Sequence, residues 1–195
     1  GDLAYQFLME QKTSTTPFVL VVEGAVQDAS NTGYWEKDGD VSWCSIGQDG
    51  VTGEEADFGD VVYDLASNDA CAAVLAIGQC ASFGGYPGAV SPVLGANQTG
   101  AEGVFTFLGE TREDTDAAAK VVNVPGCPTN PWWFILSVVA WLVDYVNPGT
   151  LGILDASHKI VGGVDRDRRL DAVYGMPLHG PHCTRYSYFK GYDEN

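Results

Sequence analysis

The chain has 195 residues with 26 acidic and 10 basic side chains, and its formal charge of −16 excludes nucleic acid and anionic membrane as preferred partners. Its 45 % hydrophobic and 18 % charged residues are typical of a globular domain of ordinary size. No apolar run reaches the roughly 20 residues that cross a bilayer, and the longest, residues 131–146, contains Asp144 and is predicted to be a buried helix.

The first predicted elements are a helix and a strand. Helix formers with apolar residues at helical spacing predict a short helix over residues 3–12. The apolar, β-branched run of residues 18–26, ended by Glu23 and Gly24, predicts a strand buried on both faces. Residues 31–43 are polar, glycine-rich and aromatic, which indicates a loop.

The middle of the chain repeats this order. Residues 52–68 predict a helix with Thr52 as its N-cap. Residues 71–78 form a second apolar run and predict another buried strand. Residues 84–115 are rich in Gly, Pro, Asn and Thr and indicate a long functional loop with one helical turn.

A third strand and a second long helix complete the predicted core. The strand covers residues 120–126, and Pro131 then opens a helix that runs to about Tyr145. Strands that alternate with helices at this spacing predict an α/β fold with a doubly wound parallel sheet. We therefore expect one such domain over residues 1–150 and an irregular tail over residues 151–195.

Three chemically suggestive residues follow the predicted strands. Glu23, Cys80 and Cys127 each lie just past the end of one strand. Because ligands of such sheets bind outside the carboxyl ends of the strands, we expect these residues to converge on one site.

The two cysteines share a glycine-rich setting, with Cys80 in GQCASFGG and Cys127 in PGCP. Glycines such as Gly126 allow the backbone to approach a bulky inorganic group closely, and thiolates are the usual ligands of iron–sulfur clusters. The alternative is that both are small buried hydrophobic residues at strand ends. Two of the other three cysteines, Cys44 and Cys71, have no companion ligand nearby, and we expect structural roles for them.

The tail contains a second candidate metal site. His179, His182 and Cys183 lie within five residues of one another, a proximity typical of metal ligation, although a surface loop remains the alternative. The isolated His158 is expected on the surface. No phosphate-binding glycine motif is present, and nothing in the sequence connects a histidine to Cys80 or Cys127 as a Cys–His hydrolase requires.

Taken together, these segments resemble the small, electron-transferring subunit of nickel–iron hydrogenases. The similarity covers about residues 18–188. It rests on six segments in the family's order: VVEGAV (21–26), WCSIG (43–47), GQCASFGG (78–85), NQTGA (97–101), VVNVPGCPTNPWW (121–133) and YG…LHGPHCTRY (174–186).

The resemblance implies a flavodoxin-like domain and a set of metal-binding residues. Cys80 and Cys127 match two of the four ligands of the proximal 4Fe-4S cluster, and Glu23 matches the glutamate beside it. His179 and Cys183 resemble the residues that begin the distal cluster's ligand set, with His182 as the alternative histidine. Gly85 stands where oxygen-tolerant members carry an extra cysteine, which argues against their modified cluster.

The resemblance also implies partner proteins, and the sequence departs from the family pattern in its cluster-binding motifs. The family pairs with a large subunit that holds the nickel–iron centre, and electrons pass to a redox protein or a quinone-linked cytochrome. A location at the membrane or in the periplasm is favoured over the free cytoplasm. The family's N-terminal CxxC-type motif and C-terminal cysteine-rich segment are not among these residues, so at most half of the proximal ligand set and part of the distal set are expected here.

Two alternative functions follow from the same residues. One is the related iron–sulfur subunit of the respiratory NADH:quinone oxidoreductase, which shares the glutamate and the PGCP segment. The other is a cluster-poor scaffold or assembly partner of the same fold. The CASFGG and LHGPHC segments favour the hydrogenase.

Overall fold

The computed structural model describes residues 2–27, 44–48, 53, 55–90 and 99–175. The chain forms two compact units, Gly1–Phe134 and Ile135–Asn195. The domain boundary expected near residue 150 stays a prediction.

Helices and strands alternate through the described residues, as the sequence predicts. In chain order they are α1 (Asp2–Gln11), β1 (Phe18–Glu23), β2 (Val26–Gln27), β3 (Ser45–Gln48), β4 (Glu55–Asp57), α2 (Phe58–Ser67), β5 (Cys71–Ile77), α3 (Gly78–Phe83), β6 (Ala101–Glu102), α4 (Val104–Thr106), a π-helix (Phe107–Thr111), α5 (Thr115–Ala119), β7 (Val121–Val124), α6 (Pro131–Val146) and α7 (Asp171–Tyr174).

Within the described ranges, the main sheet has three parallel strands in the order β1-β5-β7, which confirms the α/β prediction. The register pairs Glu23 with Ile77 and Ile77 with Val124. Because paired residues lie side by side, all three strands end at the same edge of the sheet.

The prediction that the first strand is buried on both faces is wrong. Val22 is buried, but Val19 and Val21 are exposed. β1 is an end strand of the sheet, and among the described residues only β5 pairs with it. Its apolar run therefore reflects strand propensity on one uncovered face rather than complete burial.

The helix predicted over residues 52–68 begins later than expected. Asp57, rather than Thr52, is the N-cap of α2, and its side chain accepts a hydrogen bond from the Asp60 amide at 3.2 Å. Residues 55–57 instead form β4, which pairs with β3 in an antiparallel hairpin. A capping carboxylate closer to the apolar stripe of α2 determines where the helix starts.

The long loop predicted over residues 84–115 is more structured than expected. Its second half contains β6, α4, the π-helix and the start of α5. The reason is an apolar set in this segment, with Val104, Phe107 and Leu108 buried in the core of the first unit. Residues 91–98 of the predicted loop, and the loop predicted over 31–43, lie outside the described residues.

In the second unit, a buried carboxylate joins α6 to the chain that follows it. Asp144 is fully buried and accepts backbone hydrogen bonds from Leu151, Ile153 and Leu154, that of Ile153 at 2.8 Å. Burial alone would raise the pKa of Asp144, but these N–H groups outweigh it, and the pKa lies below its ordinary value.

The prediction of a buried helix over residues 131–146 is wrong in its burial. α6 forms with the expected bounds, but only one stripe of it is buried: Ser137, Ala140, Trp141 and Asp144. The apolar side chains on its other faces, such as Leu136, Val139 and Val146, are exposed.

The tail contains a repeated turn that sequence reasoning missed. Leu154 pairs with Ile160, and ten residues later Val164 pairs with Leu170 in the same antiparallel way. In each turn one aspartate, Asp155 or Asp165, accepts two backbone hydrogen bonds. The available signal was a repeat in the sequence. In each turn an apolar residue precedes the Asp, and a basic and then an apolar residue stand four and five positions after the Asp.

None of the helices in the described part of the chain has the length and apolar character that crossing a membrane requires.

Candidate functional site

A pocket of about 430 Å³ lies at the edge of the sheet where the three parallel strands end. It contains Glu23, Cys80 and Cys127, so the predicted convergence of these residues is observed. Its lining is Glu23, Gly24, Ile77, Gly78, Gln79, Cys80, Gly126, Cys127, Pro128, Thr129, Pro131 and Phe134.

Cys80 enters the pocket from a helix rather than from the glycine-rich loop predicted for it. It occupies the third position of α3, which follows β5 without an intervening loop, and its side chain is half-buried. The chain then folds back over it. A Cβ atom on Gly85, whose φ is +63°, would lie 2.5 Å from the Cys80 Sγ atom. Only glycine permits so close an approach in this backbone conformation.

Cys127 lies in the turn between β7 and α6, and its side chain is exposed. Gly126 precedes it with a φ of +144°, and a Cβ atom there would lie 2.8 Å from the Thr129 Cα atom. The Thr129 hydroxyl donates a hydrogen bond to the Val124 carbonyl at 3.2 Å. The turn is thus closed by its own residues, which present Cys127 at the pocket.

One backbone hydrogen bond joins the two cysteine-bearing segments. The amide of Gln79, next to Cys80, donates to the carbonyl of Gly126, next to Cys127, at 2.8 Å. This contact keeps the two thiols at the same pocket. Sequence reasoning missed Gln79, and its position beside a predicted ligand was the only available signal.

Among the described residues, the lining contains a single ionisable group besides the two thiols. Glu23 ends β1 and is exposed, whereas the rest of the lining is neutral. The two cysteines outside the pocket differ in environment. Burial raises the pKa of the Cys71 thiol, although the positive charge of Lys120 opposes this shift. Burial raises the pKa of the Cys44 thiol, and the negative charge of Asp57 adds to the shift. Neither thiol is therefore favoured as a thiolate.

The pocket fits an iron–sulfur cluster in donor type but supplies half of the donors. Two thiols from separate segments, a helix and a turn, are the donor type that such a cluster requires, but a cluster normally takes four cysteines. In the part of the chain that the structure describes, no group of three or more His, Cys, Asp or Glu side chains is placed to hold a single metal ion. Donors from outside the described residues would have to complete the set.

The remaining predicted ligands do not have a described position. His179, His182 and Cys183 lie outside the described residues, so the second metal site stays a prediction. His158 is exposed and its ring stacks on Tyr145 with centroids 4.2 Å apart. Cys71 is buried, and its thiol donates to the Ala73 carbonyl at 3.5 Å.

Comparison with protein families gives a match over most of the chain. The family described as NADH ubiquinone oxidoreductase, 20 kDa subunit, matches residues 2–141. This range includes the pocket and every strand of the parallel sheet.

Individual relatives are hydrogenase small subunits. The chain is 30 % identical over 189 residues to the periplasmic [NiFeSe] hydrogenase small subunit of Desulfomicrobium baculatum, covering 94 % of this chain and 51 % of that protein. It is 34 % identical over 173 residues to the hydrogenase-2 small chain of Escherichia coli, covering 88 % of this chain and 34 % of that protein. The chain thus spans between a third and a half of these relatives.

Solved structures show the same similarity. The chain matches the recombinant [NiFeSe] hydrogenase of Desulfovibrio vulgaris Hildenborough with a TM-score of 0.66 and 28 % identity, covering 98 % of this chain and 59 % of that one. An actinobacterial-type NiFe-hydrogenase from Ralstonia eutropha shares the fold with a TM-score of 0.68. The resemblance noted in the sequence is confirmed.

Proposed function

The chain belongs to the family of the 20 kDa subunit of NADH ubiquinone oxidoreductase, and from this premise we propose that it is the electron-transferring small subunit of a nickel–iron hydrogenase. The observation that carries the proposal is the pocket in which Cys80, Cys127 and Glu23 meet. Relatives named as hydrogenase small subunits support it.

In this proposal Cys80 and Cys127 would be two of the ligands of a 4Fe-4S cluster, which would supply one-electron transfer when bound. The hydrogen bond from Gln79 to Gly126 sets the spacing of the two thiolates. Gly85 lets the backbone approach the Cys80 side chain closely, and Gly126 lets the turn that presents Cys127 close on Thr129. Glu23 adds a carboxylate to the lining of the pocket, where it would adjust the local charge or relay protons.

The partners are part of the same proposal. A large subunit would hold the nickel–iron centre, where hydrogen is split, and this chain would carry the electrons away. The final acceptor would be a redox protein or a quinone-linked cytochrome. A relative named as periplasmic supports a location in the periplasm or at the membrane. His179 and Cys183 would begin a distal cluster.

The family description also favours a second candidate, the iron–sulfur subunit of a respiratory NADH:quinone oxidoreductase. The two candidates differ in the metal of the partner. A hydrogenase brings nickel, whereas the respiratory complex brings iron without nickel. A cluster-poor scaffold would bring neither metal.

Metal analysis of the native complex tests the proposal. The protein is purified anaerobically from its own host with whatever co-purifies, and iron, nickel and acid-labile sulfide are measured per chain. We expect all three. Iron and sulfide without nickel would exclude the hydrogenase, and the absence of iron would leave the scaffold.

Substitution of single cysteines tests the site itself. Cys80→Ser and Cys127→Ser should each lower the cluster iron, because each removes one thiolate from the pocket. Cys71→Ser is the matched control, since Cys71 is buried elsewhere and bonds only to backbone. Equal iron loss in all three variants would contradict ligation at the pocket and indicate misfolding.

A further inference from the structure

The two cysteine-bearing segments of the pocket meet at Thr129. This half-buried side chain lines the pocket and stands shortly after Cys127 in the chain. Its hydroxyl donates a hydrogen bond to the carbonyl of Val124, the last residue of β7, at 3.2 Å. Because the donor follows Cys127 in the chain and the acceptor precedes it, this bond closes a loop around the thiol-bearing residue.

The Thr129 hydroxyl also lies beside the segment that carries Cys80. A Cβ atom on Gly78, the first residue of α3, would lie 3.8 Å from the Thr129 Oγ1 atom, which is an ordinary van der Waals distance. Cys80 stands in the same short helix. One side chain therefore bridges the turn that carries Cys127 and lies next to the start of the helix that carries Cys80.

Gly126 gives the turn a point of conformational freedom. Its φ is +144°, and a glycine has no side chain that would hold the backbone in one conformation. The Gly126 carbonyl accepts the Gln79 amide hydrogen at 2.8 Å, the bond that joins the two segments. A hydrogen bond that fixes the turn therefore also fixes the carbonyl through which Cys127 is linked to Cys80.

Within the described part of the chain, no neighbouring side chain duplicates this bond. Of residues 125–129, Thr129 alone makes a hydrogen bond through its side chain there. The next side chain, that of Asn130, accepts the Trp132 amide hydrogen at 3.0 Å and so caps the start of α6. Since Asn130 already caps the helix, the effect of the Thr129 bond falls on the turn that presents Cys127.

We infer that Thr129 is a positioning residue whose hydroxyl holds the Cys127 thiol in place relative to Cys80 for metal binding. This inference rests on the proposed function, because the group that the two thiols would bind is the proposed 4Fe-4S cluster. Thr129 acts through Cys127 and is not itself a ligand. The loss of groups that orient metal ligands typically lowers metal affinity by about 10–100-fold.

Replacement of Thr129 in the native complex tests the inference. Thr129→Val keeps the branched shape of the side chain and removes the hydroxyl, whereas Thr129→Ser keeps the hydroxyl. Iron release to bathophenanthroline, a chelator of ferrous iron, is followed in the anaerobically purified complex. We expect release of the cluster iron to be about tenfold faster in Thr129→Val and to stay at the wild-type rate in Thr129→Ser.

Thr150 provides the matched control. Its hydroxyl also donates to a backbone carbonyl, that of Asn147 at 2.7 Å, and Thr150 does not line the pocket. Thr150→Val therefore removes the same kind of bond outside the pocket lining and should release iron at the wild-type rate. Equal acceleration in Thr150→Val and Thr129→Val would indicate general destabilisation and overturn the inference.

The midpoint potential of the cluster is a readout that a merely structural role of Thr129 would not move. It is obtained from the EPR signal that Cys127→Ser abolishes, followed in the complex as the applied potential is varied. Thr129→Val should shift the midpoint, because the potential of a cluster depends on its immediate surroundings, and Thr129→Ser should restore it.

A wild-type release rate or a wild-type midpoint potential in Thr129→Val overturns the inference. Loss of cluster iron in Cys80→Ser and Cys127→Ser would keep the proposed function standing in that case. If even the wild-type complex contains no iron, the proposed function fails first and the inference fails with it.

Discussion

Replacement of Gly85 by alanine probes how closely the backbone is fitted to the Cys80 thiol. The added Cβ atom would lie 2.5 Å from the Cys80 Sγ atom and 3.0 Å from its Cα atom. Since ordinary contacts of this kind are about 3.5–4.0 Å, the sulfur would have to move by about 1 Å. Metal ligands tolerate deviations of about 0.2 Å, so the displaced thiolate should no longer bind well.

The same substitution also has a purely conformational cost. Gly85 has a φ of +63°, and a left-handed conformation costs an alanine roughly 1–2 kcal/mol. Gly53 supplies the matched control, because its φ is +71° and a Cβ atom there meets nothing within 4 Å. Gly53→Ala should therefore lose similar stability without touching a cysteine.

Iron, acid-labile sulfide and the thermal midpoint are measured for both variants after anaerobic purification. We expect both midpoints to fall by about 4 °C. Iron should fall to about half of the wild-type content or less in Gly85→Ala alone, since only there is a ligand displaced. Full iron content in Gly85→Ala, or equal loss in the two variants, would refute the steric reasoning.

Two further predictions concern stability. Asp144→Ala leaves buried backbone donors without a partner and should cost roughly 3 kcal/mol or more in the free energy of unfolding, measured by denaturant titration. Because the pKa of Asp144 is lowered in the folded state, the stability that Asp144 contributes is present at neutral pH and is lost as the pH falls below about 4. The free energies of unfolding of wild type and variant should therefore converge at low pH. A difference that stays constant with pH would contradict this. The Arg112 guanidinium lies 5.2 Å from the Tyr63 ring centroid and 5.1 Å from that of Phe107, and it pairs with Asp60. Arg112→Met keeps the side-chain length and should cost about 1–2 kcal/mol in the same titration, whereas an unchanged midpoint would show that these contacts add nothing.

The sequence by itself determined the parallel strands and the place of the site. Short apolar runs of β-branched residues, separated by helix-length segments, specify βαβ units whose strands must end at one edge. Glu23, Cys80 and Cys127 follow those runs, so their convergence could be predicted without coordinates. Local propensity and the handedness of the connections were sufficient for this much.

Burial and local boundaries were decided by tertiary structure. Val21 is exposed because β1 is an end strand, and α6 is largely exposed because one stripe of it packs, which composition alone cannot reveal. The start of α2 depended on Asp57 both closing a hairpin and capping the helix. These features depend on which neighbours pack against each segment, and a single sequence does not state that.

The contacts that hold the residues around the two thiols also depend on tertiary structure. The hydrogen bond from Gln79 to Gly126 and the contact of Gly85 with Cys80 join residues whose closeness follows from the packed sheet edge. The two thiols could be identified from the sequence, but the way they are held depends on the fold. The glycine conformations and carbonyl positions around them are fixed only once β5 and β7 lie side by side.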